Sequence, residues 1–160
     1  LGINRLCNGA RWGTVRRVTT ENQAYLKQWL DESLFTKFPE NMTCIGQEMA
    51  GEIVGVVGFS DFSPTSCYMH TSSIDPLWIT KDLLWACFDY PFNILKVKVI
   101  LATVAGNNKE SLRLCRKLGF VDRVLIEDAH KDGDLAILTM RKEQCKWLDI
   151  DAPLRKIKGA

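Results

Sequence analysis

Two strand-length apolar runs set the frame for this chain: residues 53–59 (IVGVVGF) and residues 96–105 (KVKVILATVA). Each is far too short to cross a bilayer as a helix, which takes about 20 apolar residues. Between them, residues 79–90 (ITKDLLWACFDY) carry apolar positions at helical spacing, with Leu83, Leu84, Cys87 and Phe88 on one side. Strand–helix–strand passages along the chain supply parallel neighbours in one sheet. Hairpin signals elsewhere add antiparallel strands, so the expected sheet is mixed.

The remaining elements follow from the same periodicities. Residues 11–19 (RWGTVRRVT) alternate as a first strand, and Thr20 is the expected N-cap of a helix over 21–34. Ala24, Tyr25, Leu26, Trp29 and Leu30 are the expected buried stripe of that helix. Residues 42–49 form a strand joined to 53–59 through Ala50-Gly51-Glu52 as a hairpin. Residues 67–74 (CYMHTSSI) read as a further strand, and Thr80 as the cap of the helix that follows. Pro91 is expected to end that helix. A short helix over 109–117 closes at Gly119, and strands over 120–127 and 135–141 form a hairpin through residues 130–134. The expected order is β–α–β–β–β–α–β–α–β–β: an α/β (α+β) domain with about seven strands and three to four helices.

Length and composition agree with one domain. The chain has 160 residues, of which 46% are hydrophobic and 25% charged, the profile of a globular domain. Its formal net charge of +2 argues against a nucleic-acid binder, which carries a strong basic excess. Six cysteines stand 20 to 37 residues apart and there are only two histidines, so no metal-ligand spacing is visible and no metal is expected. The first ten residues lack the charged and apolar regions of a signal peptide. The thiols are therefore expected to be reduced and mostly buried, and the protein cytoplasmic, with no membrane contact. Residues 149–160 read as a polar tail.

Chemistry concentrates in residues 107–120 (NNKESLRLCRKLGF). Asn108, Ser111 and Cys115 recur at i, i+3 and i+7 and share one helix face, with Leu114 and Leu118 on another toward the core. Asn107 and Asn108 stand where a strand passes into a helix, where free N–H groups and side-chain amides can hold a polar ligand. These residues also suit a plain turn.

With Asn108, Ser111, Leu114, Lys117, Gly119 and Phe120 at matching spacing, the segment resembles the GNAT superfamily of acyl-CoA-dependent N-acetyltransferases. The resemblance covers roughly residues 51–148. The Asn-x-x-Ser form and the preceding ITKDLLWACFDYPF look most like the branch that acetylates ribosomal-protein N-termini, and the ending GDLAILTMRKEQCKWL resembles small phage and prophage members. The resemblance implies a GNAT-like sheet whose two central parallel strands, 67–74 and 96–105, splay around acetyl-CoA. It places Thr71, Ser72 and Ser73 beside the pantetheine and the pyrophosphate on Ile79, Thr80 and Lys81. Asn107, Asn108 and Ser111 would line the cofactor, with Cys115 and Arg116 further along. It implies direct attack of a primary amine, of a protein or a small molecule, on the thioester, in a monomer or homodimer.

The chain departs from the family pattern twice. Asp75-Pro76-Leu77-Trp78-Ile79-Thr80 replaces the glycine-rich phosphate turn, and Cys115 stands where many members carry the tyrosine that protonates the leaving thiolate. A thiol has an unperturbed pKa of about 8.5 and can fill that role. His70, on the first splayed strand, is the candidate base or substrate contact because it titrates near neutrality. The competing readings are structural: His70 as an ordinary strand histidine, Cys115 as packing, and Trp78 as a plug over the core. A non-catalytic GNAT-like domain that binds a protein partner is the alternative function.

Overall fold

The computed structural model describes residues 15–150. Cys7, Trp12, the start of the predicted first strand and most of the predicted polar tail lie outside them. The described chain contains β1 (Arg16–Thr19), α1 (Gln23–Leu34), β2 (Thr43–Met49), β3 (Glu52–Ser60), β4 (Ser66–Ser73), α2 (Lys81–Asp89), β5 (Val99–Ala105), α3 (Lys109–Leu118), β6 (Val121–His130) and β7 (Gly133–Arg141). A π turn at Tyr90–Ile94 and two 3₁₀ turns complete it. The seven strands form one mixed sheet in the order β1-β2-β3-β4-β5-β7-β6, as expected for a GNAT-like α/β fold. No described helix is long and apolar enough to cross a membrane.

β1 to β4 make an antiparallel meander. Its β2–β3 turn is the two residues Ala50 and Gly51, with φ of 51° and 87°. Positive φ at both central positions is the hairpin turn whose twist matches the strands. The one parallel contact is β4 with β5, and it is short: Ser66, Cys67 and Tyr68 face Val99, Ile100 and Leu101. Beyond Tyr68 and Leu101 the two strands part.

The main core gathers Phe59, Trp78, Phe88, Phe92, Ile100, Leu138 and Met140 from both halves of the sheet and from α2. A smaller cluster packs Leu26 and Leu30 of α1 on Met42, Cys44 and Val56. The five described cysteines are free; Cys44, Cys67, Cys87 and Cys145 are buried and Cys115 is half-buried. Burial pushes the Cys67 thiol up to about 11 and Cys44 up to about 12, so both are protonated, inert packing groups at neutral pH.

Several local expectations are corrected. The cap of α1 is Asn22, not Thr20: Asn22 adopts φ 54° and its Oδ1 accepts from the Tyr25 N–H at 3.2 Å. Asparagine tolerates this left-handed geometry, so the helix starts two residues late. The phase of α1 then buries Leu26, Lys27 and Leu30 and leaves Ala24 and Tyr25 exposed. Pro91 does not stop the second helical run. The chain widens into the π turn, where Leu95 N–H donates to the Tyr90 carbonyl at 2.9 Å, and this accommodates a residue with no N–H. β5 starts at Val99 rather than residue 96, because Lys96 takes φ 60°. The last hairpin turns on Lys131 and Asp132 alone, with His130 facing Gly133.

Candidate functional site

Where β4 and β5 part, they open a cavity of 330 Å³. Met69, His70 and Thr71 line it from β4, and Ala102 to Ala105 from β5. The edges of parted strands carry backbone N–H and C=O groups with no strand partner across the gap. A linear ligand with its own amides can pair with them.

The start of α3 forms one wall. Asn108 caps the helix, its Oδ1 accepting from the Ser111 N–H at 3.1 Å. Its side-chain NH₂ is not used by the cap. Asn107 donates from Nδ2 to the Asp132 carbonyl at 3.4 Å, tying the helix start to the last hairpin. Ser111, Leu114, Cys115 and Leu118 continue the wall. Leu114 and Leu118 thus face the cavity, Leu118 also packs against the core, and Leu112 is the buried leucine of α3. Gly119, at φ 110°, closes the helix; its N–H and that of Phe120 reach the Cys115 carbonyl. Burial pushes the Cys115 thiol up, an effect that neighbouring Arg116 only partly offsets. Cys115 is therefore a neutral thiol with a proton to give.

His70 stands on β4 and is held from three sides. Phe38 lies against it with ring centroids 4.5 Å apart, and Tyr68 stacks near-parallel at 6.4 Å. The Phe38 loop is itself anchored, since the Phe38 N–H donates to Asp31 Oδ1 at 3.0 Å while Lys27 donates to Asp31 Oδ2 at 2.8 Å. On the third side His70 Nε2 is 2.8 Å from Ser60 Oγ, and that hydroxyl donates to Asp61 Oδ2 at 2.6 Å. Burial lowers the His70 pKa, against a smaller opposing pull from Asp61. The imidazole is neutral at pH 7.

The sequence-derived candidates divide accordingly. His70, Thr71, Asn107, Asn108, Ser111 and Cys115 converge on the cavity. Ser72 and Ser73 follow Thr71 to the end of β4, paired to Val56 and Gly55 of β3, and are not among the lining residues. Ile79 borders a small apolar gap between α2 and α3 that Thr71 also lines. Thr80 caps α2: its hydroxyl accepts from the Leu83 N–H at 3.1 Å and donates to the buried Gln47 Oε1 at 2.9 Å. Lys81 opens the helix beside Asp82. Arg116 faces away from the cavity, in a two-bond pair with Asp122 at 2.9 and 3.0 Å. Trp78 is 6% exposed and covers Gly55, so it plugs the core.

Reasoning from sequence missed Ser60, Asp61, Phe38 and the wall formed by His130 and Asp132. Ser60-Asp61 follows an apolar strand and reads as the start of a turn. Only the pairing of Gly58 with His70 brings Ser60 beside the ring.

No family model matches the sequence, and no curated protein does. Solved structures do match the fold. A spermidine N-acetyltransferase SpeG chimera from Vibrio cholerae and human SSAT is 16% identical over 84% of this chain and 98% of its own, at a TM-score of 0.66. YncA from Salmonella typhimurium, solved with its cofactor acetyl-CoA, is 15% identical over 88% of this chain and 98% of its own, at 0.64. Two further structures, assigned only as acetyltransferases, are 18% and 16% identical at 0.56, and the match spans 60% and 63% of their length. At these identities the likeness establishes the GNAT fold.

Proposed function

We propose that this protein is an N-acetyltransferase that transfers an acetyl group from acetyl-CoA to a primary amine. The observation that carries the reading is the 330 Å³ opening between β4 and β5, lined by Asn108, Ser111, Cys115 and His70. The unpaired strand edges suit the pantetheine amides, and the α3 wall adds an amide and a hydroxyl. At the phosphate end the fit is thinner: the Thr80 hydroxyl is engaged by its cap and by Gln47, leaving the first N–H groups of α2 and Lys81.

His70 takes a proton from the neutral amine as its lone pair attacks the thioester carbonyl. A backbone N–H at the parted edge of β4 supports the oxyanion. The new C–N bond forms, the C–S bond breaks, and the Cys115 thiol protonates the leaving thiolate. The acceptor is a primary amine of a protein or small molecule. A parallel screen of peptides with free α-amino groups and of polyamines such as spermidine, read by thiol release, separates the N-terminal-acetylating resemblance from the acceptor named for SpeG.

Calorimetric titration with acetyl-CoA tests the reading directly. Saturable binding and thiol release with an amine are expected. Absence of both heat and thermal shift at millimolar ligand overturns it. The glycine-free turn filled by Trp78 favours one second reading, a non-catalytic GNAT-like domain that binds a protein partner, which predicts that null result.

A further inference from the structure

We propose that Ser60 and Asp61 are positioning residues for His70, fixing its ring so that Nε2 carries the hydrogen and Nδ1 is the nitrogen that receives the amine proton. The proposal rests on the acetyl-transfer reading above.

Ser60 is completely buried and its Oγ touches two groups, Asp61 Oδ2 at 2.6 Å and His70 Nε2 at 2.8 Å. A serine hydroxyl has one hydrogen, and an ionised carboxylate can only accept. The hydroxyl hydrogen is therefore given to Asp61. Ser60 Oγ must accept from the ring, which puts the neutral imidazole hydrogen on Nε2. Nδ1 then holds the free lone pair. It has no hydrogen-bond partner among the described residues, and no sealed side-chain nitrogen or oxygen there lacks one. Nδ1 is therefore not sealed from solvent, and its residue lines the cavity.

The backbone supports a built arrangement. Asp61 sits at φ 51°, in the left-handed region. That conformation is uncommon outside glycine, although aspartate tolerates it. The strand thus ends on a bend that turns the Asp61 carboxylate back onto the hydroxyl of its own neighbour. When Nδ1 takes the proton, the amine nitrogen bonds to the acetyl carbon and the thiolate leaves. The charge gained by the ring is shared through Ser60 with Asp61, and among the described residues no other carboxylate is bonded into this chain. The remaining ionisable groups around the ring are Tyr68 on β4, Cys115 on α3, and His130 and Asp132 across the cavity. Phe38 and Leu34 cover the α1 side.

Nitrogen-15 NMR of the imidazoles reads the tautomer without turnover, and H130Q identifies the His70 signals. The wild-type protein is expected to show the Nε2–H tautomer. Ser60→Ala is expected to mix the tautomers. Asp61→Asn, a change at an exposed residue, moves the His70 titration and the acid limb of kcat/KM to lower pH, because it removes the negative charge that favours the imidazolium. Both variants should lower kcat by about tenfold or more, short of the roughly 10²–10⁴ that a general base supplies, with KM for acetyl-CoA unchanged. An Nδ1–H tautomer in the wild type overturns the proposal whatever the activity. So does an unchanged rate and pH profile in both variants. A wild type that acetylates no amine refutes the catalytic role together with the acetyl-transfer reading. It is told apart from a failed relay because the tautomer is then still Nε2–H.

Discussion

Adding a methyl group at Gly55 should destabilise the protein, and the same methyl should stabilise it once Trp78 is gone. An alanine Cβ at Gly55 would meet Trp78 Cε3 and lie 2.8 Å from Cδ2, inside contact distance of a rigid ring that is 6% exposed. Overpacking of this kind costs about 1–3 kcal/mol. Against it stands a gain of about 0.5–1 kcal/mol for replacing glycine by alanine in a strand. Gly55→Ala alone should therefore cost about 1 kcal/mol within a span of roughly 0–2.5, or a few degrees of Tm at roughly 2–4 °C per kcal/mol. Trp78→Ala removes the indole and should cost about 3–5 kcal/mol. In that background only the strand term of Gly55→Ala survives, so it should add about 0.5–1 kcal/mol of stability. Urea unfolding followed by circular dichroism measures all four corners, and Trp78→Leu gives a milder second background. The same sign for Gly55→Ala in every background would refute the packing argument.

Three further outcomes are expected. Asn108→Ala removes the cap of α3 and a cavity amide, so it should cost about 1 kcal/mol of stability and weaken acetyl-CoA binding by calorimetry; unchanged affinity would mean that the cofactor lies elsewhere. Cys115→Ala should lower kcat by about 10²-fold or more with acetyl-CoA affinity kept, if the thiol is the general acid, while an unchanged kcat would make it packing alone. Asp31 is the pH-sensitive support of the His70 pocket: burial alone would raise its carboxyl, but the bonds from Lys27 and the Phe38 N–H prevail and hold it below the ordinary 3.8. A depressed carboxyl contributes stability that is present above 3.8 and lost as pH falls through its folded value. Asp31→Asn should flatten that acid dependence in urea midpoints and cost about 1.5–3 kcal/mol at neutral pH; parallel pH curves for both proteins would contradict it.

The element order was legible because it depends on pattern: IVGVVGF and the run into Ala105 could only be strands, and the helix between β4 and β5 signalled their parallel pairing. The α3 wall was legible for a similar reason, since asparagines where a strand passes into a helix, a Ser one turn on and a closing Gly are local signals. The misses depend on neighbours distant in sequence. Whether Trp78 faces a ligand or the core is decided by Gly55, a residue on another strand. Ser60 acquires its role from the register that sets Gly58 against His70. Pro91 misled because a helix can widen rather than stop, and Thr20 because a left-handed Asn22 caps the helix two residues later.

The short parallel pairing of β4 with β5 has a mechanical consequence. Among the described residues, Ser66 to Tyr68 against Val99 to Leu101, with the Thr65 carbonyl just before them accepting from Lys98 and Val99, are the short strand contact joining a four-strand meander to a three-strand unit. Each unit finds its lateral bonds within itself, and the shared apolar layer beneath is what welds them. Such a seam makes the two units separate candidates for sub-global opening, with amide exchange at the parted strand ends faster than at their paired ends. A bound thioester would supply the missing rungs. Ligand binding should then slow exchange on both lips of the seam together and make two folding units melt as one.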